Sequence, residues 1–473
     1  MFASKKSQIK DTDLGSGSVG ALLFRLAIPI IISQLVNLLY NMVDRIYIGH
    51  IPETGAAALT GLGLCLPVIM IITAFSLLAG SGGAPRAAIS MGQGDEDMAE
   101  RILGSCTTLI LILSLCITVI VEVFARPMLI SFGASESTLP YALSYLRIYA
   151  AGTVFVMCTL GLNTFITTQG AASVAMRTTL IGAVTNIILD PIFIFVFGMG
   201  VSGAALATII SQCISAIWVL RFLTGPKTKI RIRKETLRLD RSIVLPVLAL
   251  GISPFIMLST ESILSVVFNS SLARYGGDIA VGSMTILSSV MQLQMLPVQG
   301  LSQGAQPIIS FNYGKGAADR VTEAFKLLLC CSLIYTMLLW GVVQLFPAAV
   351  VRIFNSNSEE LIRSASRALR IYMAASGVFG IQMAIQQTFV ALSQAKLSLF
   401  IACLRKIILL IPLVYILPHF FADKVFAVFL AEPVADLISV TAAGSLFMLN
   451  YRRIMSASLL FCDGEERKKE DAG

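Results

Sequence analysis

Long apolar blocks, separated by short clusters of charged residues, glycine and proline, recur along the whole chain. Most blocks hold about 20 or more residues, the length that an α-helix needs to cross the hydrocarbon core of a bilayer. The pattern predicts twelve membrane-spanning helices, called spans 1 to 12 here, at residues 22–48, 59–81, 102–124, 140–167, 173–197, 202–223, 243–272, 279–309, 323–347, 364–392, 396–420 and 424–450. We therefore expect an all-α integral membrane protein.

The composition supports a protein that stays in the membrane. Of 473 residues, 56% are hydrophobic and only 13% are charged. The N-terminus is polar for about 20 residues before a block long enough to span, so we expect no cleavable signal. The nine cysteines lie mostly inside apolar blocks, and the only histidines are His50 and His419. A disulfide framework or a structural zinc site is not expected.

The distribution of positive charge predicts the orientation. With the N-terminus in the cytoplasm, about 26 of the 35 Lys and Arg residues fall on the inner side. We therefore expect a multi-pass protein of the cytoplasmic membrane with both termini cytoplasmic. The predicted units are a cytoplasmic N-terminal segment, an N-lobe, a basic cytoplasmic linker, a C-lobe and a cytoplasmic C-terminal tail, at residues 1–21, 22–223, 224–242, 243–451 and 452–473. The linker lies on anionic lipid as an amphipathic segment or is a solvated loop.

The two halves of the chain repeat. The segment PRAAISMGQG, from Pro85, matches PIISFNYGKG, from Pro307, at an offset of 222 residues. The segment LRIYAAG, from Leu146, matches LRIYMAA, from Leu369, at an offset of 223. Because each half holds an even number of spans, both copies enter the membrane in the same direction. We expect two six-helix lobes, related by a pseudo-two-fold axis along the membrane normal, with a cavity between them.

One glycine motif could suggest a nucleotide site. Gly198, Gly200 and Gly203 have the G-x-G-x-x-G spacing, but they follow an apolar helix and no βαβ pattern exists. We interpret them as a tight extracellular hairpin. Since no Walker A motif is present either, an ion gradient is the expected energy source and no cofactor is expected.

Two carboxylates lie inside predicted spans of the first half. Asp44 has Tyr40 four residues before it on the same helix face, and Asp190 has Asn186 in the same relation. An acid in a span is costly and marks an ion or substrate path. Helical rise puts both acids about 8 to 12 Å below the outer ends of their spans, with Thr208 at a similar level.

The proline after Asp190 also bears on this region. Pro191 lacks an N–H and leaves the Ile187 carbonyl without its helical partner. Together with the acids, amide and hydroxyl, such a carbonyl suits a proton or Na⁺. In the alternative interpretation, Asp44 pairs with Arg45 at the interface and Asp190 caps a kink.

Several segments together resemble the multidrug and toxic compound extrusion (MATE) transporters, in particular the MepA-like bacterial branch, over nearly the whole length. They are YNMVD in span 1, NIILDP in span 5, the following GVSGAALAT, and the loops GQGD and GKGA. The resemblance implies a V-shaped pair of lobes in which cation binding or protonation drives drug export. It implies functional residues in three groups: a proton or cation site that could hold Na⁺ (Asp44, Asn186, Asp190, Thr208), a substrate cavity (Tyr40, Asn163, Glu261, Gln382) and helix-bending prolines (Pro29, Pro191).

The second lobe is expected to differ from the first. Glu261 matches an acid of a Na⁺ site in some relatives, but Gln382 stands where those relatives have a second acid. In the internal repeat, Asp44 aligns with Asn269 and Asn186 with Lys406. In span 12, Glu432 and Asp436 provide counter-charges for Arg405 or Lys406, or contact the substrate directly.

These observations predict a secondary active multidrug efflux antiporter. It would export amphipathic or cationic organic compounds in exchange for H⁺ or Na⁺ and contribute to drug resistance. Its expected partners are small-molecule drugs or dyes and membrane lipids, with no nucleic acid, and we expect a monomer. A flippase for lipid-linked precursors is an alternative, although it should have a cationic cavity. An integral membrane enzyme is another, but no nucleophile–base or metal set supports it.

Overall fold

The computed structural model describes residues 13–354 and 358–470, without the side chains of residues 457–470. Within these ranges, all regular secondary structure is helical. The α-helices α1 to α15 are, in chain order, Val19–Gly49, Gly55–Gly92, Glu96–Ser131, Leu139–Ala151, Thr153–Thr168, Ala172–Pro191, Gly200–Thr224, Arg241–Gly314, Ala318–Leu345, Pro347–Phe354, Glu359–Tyr372, Phe379–Ala391, Ala395–Cys403, Ile411–Ile416 and Lys424–Glu470. Two π-helical segments, Ile192–Val196 and Leu404–Leu410, follow α6 and α13.

The helices account for the predicted spans. In the described residues, nine helices are long and apolar enough to cross a membrane, or ten if α4 and α5, bent by 57°, form one span. Two further features explain why this number is lower than the twelve predicted spans. Helix α8 carries both span 7 and span 8, and span 10 falls on the arginine-containing α11 together with α12. Each predicted span thus lies on a helix or on adjoining helical segments, which is consistent with twelve.

Glycines break the chain where the sequence pattern predicts boundaries between spans. In α8, Gly277 has φ 61° and ψ −156°, a conformation that favours glycine, and it separates the two predicted spans. Gly198 and Gly200, at φ 64° and 56°, form the turn between the first π-helical segment and α7. A Cβ on Gly203 would lie 2.7 Å from the Phe193 backbone, so the two sides of this hairpin pack closely. The motif therefore forms a tight hairpin, as predicted, and its extracellular location stays a prediction.

The helices form two lobes, the N-lobe (α1–α7) and the C-lobe (α8–α15). One core cluster is built from residues 48–247 and another from residues 264–435. The first helix of each lobe begins by packing against the other lobe. The first half of α1 packs into a cluster with α8, α9, α12 and α15, whereas Ile243 and Val247 of α8 belong to the N-lobe core.

A close seam joins the lobes at the end of the bundle that carries the linker. A Cβ on Gly92 would lie 2.0 Å from the Phe311 carbonyl oxygen, and a Cβ on Gly314 would lie 2.1 Å from the Ile89 carbonyl oxygen. These two contacts are copies of each other under the 222-residue repeat. Only glycine permits backbones to approach this closely, so α2 and α8 close the bundle at this end.

The basic linker folds against the N-lobe. Glu100 of α3 accepts hydrogen bonds from the Arg231 backbone N–H at 3.0 Å and from Arg233 Nε at 2.8 Å. The Gln169 side-chain oxygen accepts from the backbone N–H groups of Lys229, at 2.8 Å, and Ile230, at 3.3 Å. The linker is therefore anchored to α3 and to the end of α5. Its contact with lipid stays a prediction.

The linker ends at a charged helix cap. Asp240 accepts hydrogen bonds from the Ser242 backbone N–H at 2.9 Å and from Ser242 Oγ at 2.6 Å, and it pairs with Arg101 at 2.8 Å. The Ser242 hydrogen bonds, with a contribution from Arg101, hold the pKa of the Asp240 carboxyl below its ordinary value of 3.8. The start of α8 is thereby tied to α3 of the N-lobe.

Candidate functional site

A cavity of about 560 Å³ lies between the two lobes. Its N-lobe wall comes from α1, α2 and α4–α7, and its C-lobe wall from α8 and α12. Among the lining residues that the structure describes, only Asp44 and Arg45 carry a formal charge. The wall is otherwise a mixture of apolar, amide and hydroxyl side chains, which suits an amphipathic ligand.

The two N-lobe acids lie together beside this cavity, and of the two Asp44 lines it. Asp44, on α1, and Asp190, at the end of α6, lie close enough for their carboxyl groups to interact directly. Asp44 is 7% exposed and Asp190 is fully buried. Two buried carboxylates this close repel each other unless a proton or a cation lies between them.

Neutral polar groups complete the cluster. Asn186 Nδ2 donates to Asp190 Oδ1 at 3.1 Å and lies 3.4 Å from Thr208 Oγ1. Thr208 is on α7, which returns beside α6 after the glycine hairpin. The structure thus brings together all four residues of the predicted site, Asp44, Asn186, Asp190 and Thr208.

Three oxygens of this cluster are available to a ligand. Asp44 Oδ1, Asp190 Oδ2 and Asn186 Oδ1 are buried and accept no hydrogen bond from the described part of the chain. Carboxylate and amide oxygens are the donors that a hard cation such as Na⁺ prefers, and a carboxylate oxygen also takes a proton. The residues present therefore fit either H⁺ or Na⁺.

The local backbone is irregular next to Asp190. Pro191 ends α6 and the π-helical segment Ile192–Val196 follows directly. π-Helical turns occur frequently at functional sites because they shift side chains out of the regular helical register. The second π-helical segment occupies the equivalent span of the C-lobe, span 11, where it carries Arg405 and Lys406.

Arg45, which follows Asp44 in the chain, acts on the Asp44 carboxyl through its charge but forms no ion pair with it in the described residues. The Arg45 side chain is exposed, and no ion pair joins it to Asp44 in the described residues. This arrangement favours the carboxyl-pair interpretation over the alternative in which Asp44 pairs with Arg45.

The other N-lobe residues singled out in the sequence lie as follows. Tyr40 and Asn163 line the cavity, and Asn163 Nδ2 donates to the Ala175 carbonyl at 3.3 Å. Pro29 lies inside α1, and its carbonyl accepts a hydrogen bond from Ser33 Oγ at 2.9 Å.

Glu261 and Gln382 are not among the cavity-lining residues that the structure describes. Glu261 pairs with Lys406, and Gln382 is buried at 2% exposure within α12. The structure therefore groups neither residue with the N-lobe acids.

Sequence reasoning missed part of the cavity wall. On the second half of α8, Gln299, Gln303 and Gln306 line the cavity, and Tyr145 of α4 lies close to Thr208. The glutamine spacing of four and three residues places them on one helix face, so three amides on one face of an apolar span were a usable signal.

A buried charge cluster lies in the C-lobe. Arg405 Nη2 donates to Glu432 Oε1, and Arg405 Nε donates to Asp436 Oδ1, both at 2.7 Å. The predicted counter-charge role of Glu432 and Asp436 is thereby confirmed for Arg405. Lys406 instead donates to Glu261 and to the Met257 carbonyl oxygen, the latter at 2.6 Å.

Comparison with known proteins assigns the chain to a family. The MatE family model matches residues 29–192 and 255–416, one match in each lobe. The chain belongs to the MatE family. It is an all-helical, multi-pass membrane protein with the two-lobe architecture.

Similar MatE family members include proteins named as exporters. The chain is 24% identical over 431 residues to the multidrug export protein MepA of Staphylococcus haemolyticus, covering 91% of this chain and 94% of the relative. It is 24% identical over 438 residues to MepA of Staphylococcus aureus strain NCTC 8325, covering 92% and 95%. This MatE protein is therefore MepA-like over most of its length.

Solved structures share the fold. A MATE crystal structure in a bent conformation matches at a TM-score of 0.89 with 23% identity, covering 95% of this chain and 99% of that one. An outward-facing multidrug resistance MATE family transporter matches at 0.85 with 24% identity, covering 96% and 99%. A Pyrococcus furiosus transporter, described as having a pocket of reversed polarity and a different function, matches at 0.86 with 24% identity and the same coverages. Because these three proteins share the fold but are not all described as having the same function, the ligands of this MatE protein must be inferred from its own cavity.

Proposed function

We propose that this chain is a secondary active exporter that moves amphipathic or cationic organic compounds out of the cell in exchange for H⁺ or Na⁺. The observation that carries the proposal is the paired carboxyl site, in which Asp44 lines the inter-lobe cavity and the fully buried Asp190 lies close to it. One site of negative charge can bind the coupling ion and attract a cationic compound, but not both fully at once. Such competition is what exchange requires.

The cavity composition supports this cargo class. The mixed wall suits compounds with a flat apolar body, which gain from burial, and the acids attract a positive group. A lipid-linked pyrophosphate would instead need several cations, and Arg45 is the only one among the described lining residues. The relatives named MepA are multidrug export proteins, which agrees with the organic-compound cargo.

The proposed reaction is transport, with no covalent step and no cofactor. The proposed working unit is a monomer, in which the two lobes of one chain form the cavity. The protein would lie in the cytoplasmic membrane with both termini in the cytoplasm. The glycine seam would then close the cytoplasmic end.

Ion-driven efflux from proteoliposomes tests the proposal. Purified protein is reconstituted, a fluorescent cationic dye is supplied on the cytoplasmic face, and a pH gradient or a Na⁺ gradient is imposed in separate runs. We expect one gradient to drive dye movement in the wild type and not in Asp190→Asn. Dye movement that neither gradient drives, or that Asp190→Asn retains in full, would refute the proposed mechanism.

A further inference from the structure

Residues 13–18, called the docking segment here, precede α1 and lie against the C-lobe. Leu14 is 2% exposed and belongs to the apolar cluster that the first half of α1 forms with α8, α9, α12 and α15. A Cβ on Gly15 would lie 3.0 Å from the Phe311 ring, so the backbone of the segment also runs close to α8. The docking segment is therefore packed onto the C-lobe.

Two C-lobe side chains hold the backbone of the docking segment. Asn312 of α8 is fully buried, and its Nδ2 donates to the Leu14 carbonyl at 2.9 Å. Arg320 of α9 donates to the carbonyls of Gly17, at 2.9 Å, and Ser16, at 3.2 Å. Arg320 Nε also donates to Asn312 Oδ1 at 3.1 Å. One guanidinium and one amide thus bind three carbonyls of the segment, and hydrogen bonds from a charged donor are the stronger kind.

The side chains that hold the segment lie at the glycine seam between α2 and α8. The Phe311 carbonyl lies against Gly92 of α2, and Gly314 lies against the Ile89 carbonyl of α2. Asn312 is on the same turn of α8, between these two contacts. One turn of α8 therefore both closes the seam and binds the docking segment.

The docking segment also interacts by charge with both sides of the seam. Asp13 is exposed, and its carboxylate interacts electrostatically with Lys229 of the linker and with Lys315 after α8. Hydrogen bonds from the Ser16 side chain and the Gly15 N–H hold the pKa of the Asp13 carboxyl below its ordinary value of 3.8, and both lysines contribute. Because the linker is anchored to the N-lobe, the Asp13 charge lies between cations of the two lobes. Exposed charge contacts are weak, so the C-lobe hydrogen bonds provide most of the attachment.

Helix α1 connects the docking segment to the acid pair. Leu23 and Leu26, in its first half, are buried in the C-lobe cluster, whereas Ile48, near its end, belongs to the N-lobe core. Asp44 lies in the second half of α1, close to Asp190 of the N-lobe. When the lobes separate at the seam, α1 cannot keep both sets of contacts.

We propose that the docking segment is a latch that keeps the seam closed, and that it must leave Arg320 before the cavity opens at this end. The inference rests on the proposed function only for direction, since that function places the seam at the cytoplasmic end. Contacts that exist in one of two states stabilise that state by their own free energy. Weakening the latch should therefore increase the population with an open seam, without altering the cavity wall or the acid pair.

The distance between two spin labels on purified protein tests the latch. The labels replace two exposed residues in different lobes, Glu96 at the start of α3 and Lys396 at the start of α13, as non-natural amino acids that leave the native cysteines in place. Ser310 of α8 donates to the Ala391 carbonyl, which places the start of α13 near the seam. An open seam lengthens the distance between the labels. We expect Arg320→Gln to raise the ratio of the longer-distance to the shorter-distance population about tenfold, because the charged donor to two carbonyls is lost.

A second variant changes the docking segment itself. Gly17 has φ 72° and no atom within 4 Å of its Cβ position, so Gly17→Ala strains the docked backbone without a clash and should raise the same ratio about fivefold. Each variant has a matched control. Gly133→Ala makes the same change at φ 96° in another loop, also with no atom within 4 Å, and Arg453→Gln removes an exposed arginine from α15. Neither control should change the ratio.

The outcomes separate the latch from the proposed function. An unchanged ratio in Gly17→Ala or in folded Arg320→Gln overturns the inference, and so does an equal rise in the controls. If the unfolding temperature shows that Arg320→Gln does not fold, Gly17→Ala decides alone. The distances are measured with no ion gradient and no exported compound. A seam that opens as expected in a protein without efflux supports the latch and refutes the proposed function, whereas wild-type efflux with unchanged ratios in the variants refutes only the latch.

Discussion

Replacing Asp190 with asparagine removes one of two carboxyl groups that meet in the N-lobe. The new side chain has nearly the same size, and Asn186, which donates to Asp190 Oδ1 at 3.1 Å, can still donate to the amide oxygen. We therefore expect Asp190→Asn to fold and insert normally but to lose most ion-driven efflux. The variant should thus be more stable than the wild type but less active in transport.

The expected change in the free energy of unfolding of Asp190→Asn follows from two opposing contributions. Two ionised carboxylates about 4 Å apart, at an effective dielectric constant of about 20, repel each other by about 4 kcal/mol. Changing the acceptor of the Asn186 hydrogen bond from charged to neutral costs about 1 kcal/mol. Asp190→Asn should thus be more stable than the wild type by up to about 3 kcal/mol wherever both acids are ionised.

The same repulsion determines how the difference in stability between the wild type and Asp190→Asn changes with pH. On acidification the wild-type pair takes up a proton and the repulsion disappears, so the wild type gains stability relative to the variant. The difference in unfolding free energy between the two proteins should be largest at high pH and should decrease as the pH falls.

Thermal unfolding in detergent between about pH 5 and pH 9, together with efflux from proteoliposomes, checks both expectations. Asp278→Asn, the same chemical change at an exposed position, is the control and should alter neither stability nor efflux. A difference in stability that is constant with pH, or wild-type efflux by the variant, would show that the two acids do not act as a pair.

Three further predictions concern other parts of the molecule. Gly314→Ala should destabilise the closed seam by about 1–3 kcal/mol through overpacking, seen as a lower unfolding temperature, whereas Gly341→Ala, with no atom within 4 Å of its Cβ, should not. Glu100→Gln should speed hydrogen exchange in the linker, because it replaces a buried charged acceptor with a neutral one; unchanged exchange would contradict the anchoring role. Ion-driven efflux should fall less in Glu261→Gln than in Asp190→Asn, since Lys406 already neutralises Glu261; an equal or larger loss would place the main coupling site in the C-lobe.

Much of the candidate site could be predicted because it depends on spacing along one helix. Asn186 and Asp190 are four residues apart, so any α-helix brings them together, and a span cannot carry an acid without cost. The glycine hairpin returns α7 beside α6, so the level of Thr208 could also be predicted. The same reasoning could not assign Lys406 to Glu261, because these residues lie on helices far apart in the chain.

The all-helical class, the lengths of the spans and the internal repeat could be predicted from the amino-acid sequence alone. A bilayer fixes the length of a span, and a backbone in hydrocarbon must satisfy its own hydrogen bonds, so the apolar pattern leaves little choice. The packing of the helices was needed to show that Asp44 lies close to Asp190, that Lys406 pairs with Glu261 and that the linker binds Glu100. Periodicity specifies which residues share a helix face, but the rotation of one helix against another is set by packing between surfaces, such as the close backbone contact at Gly314.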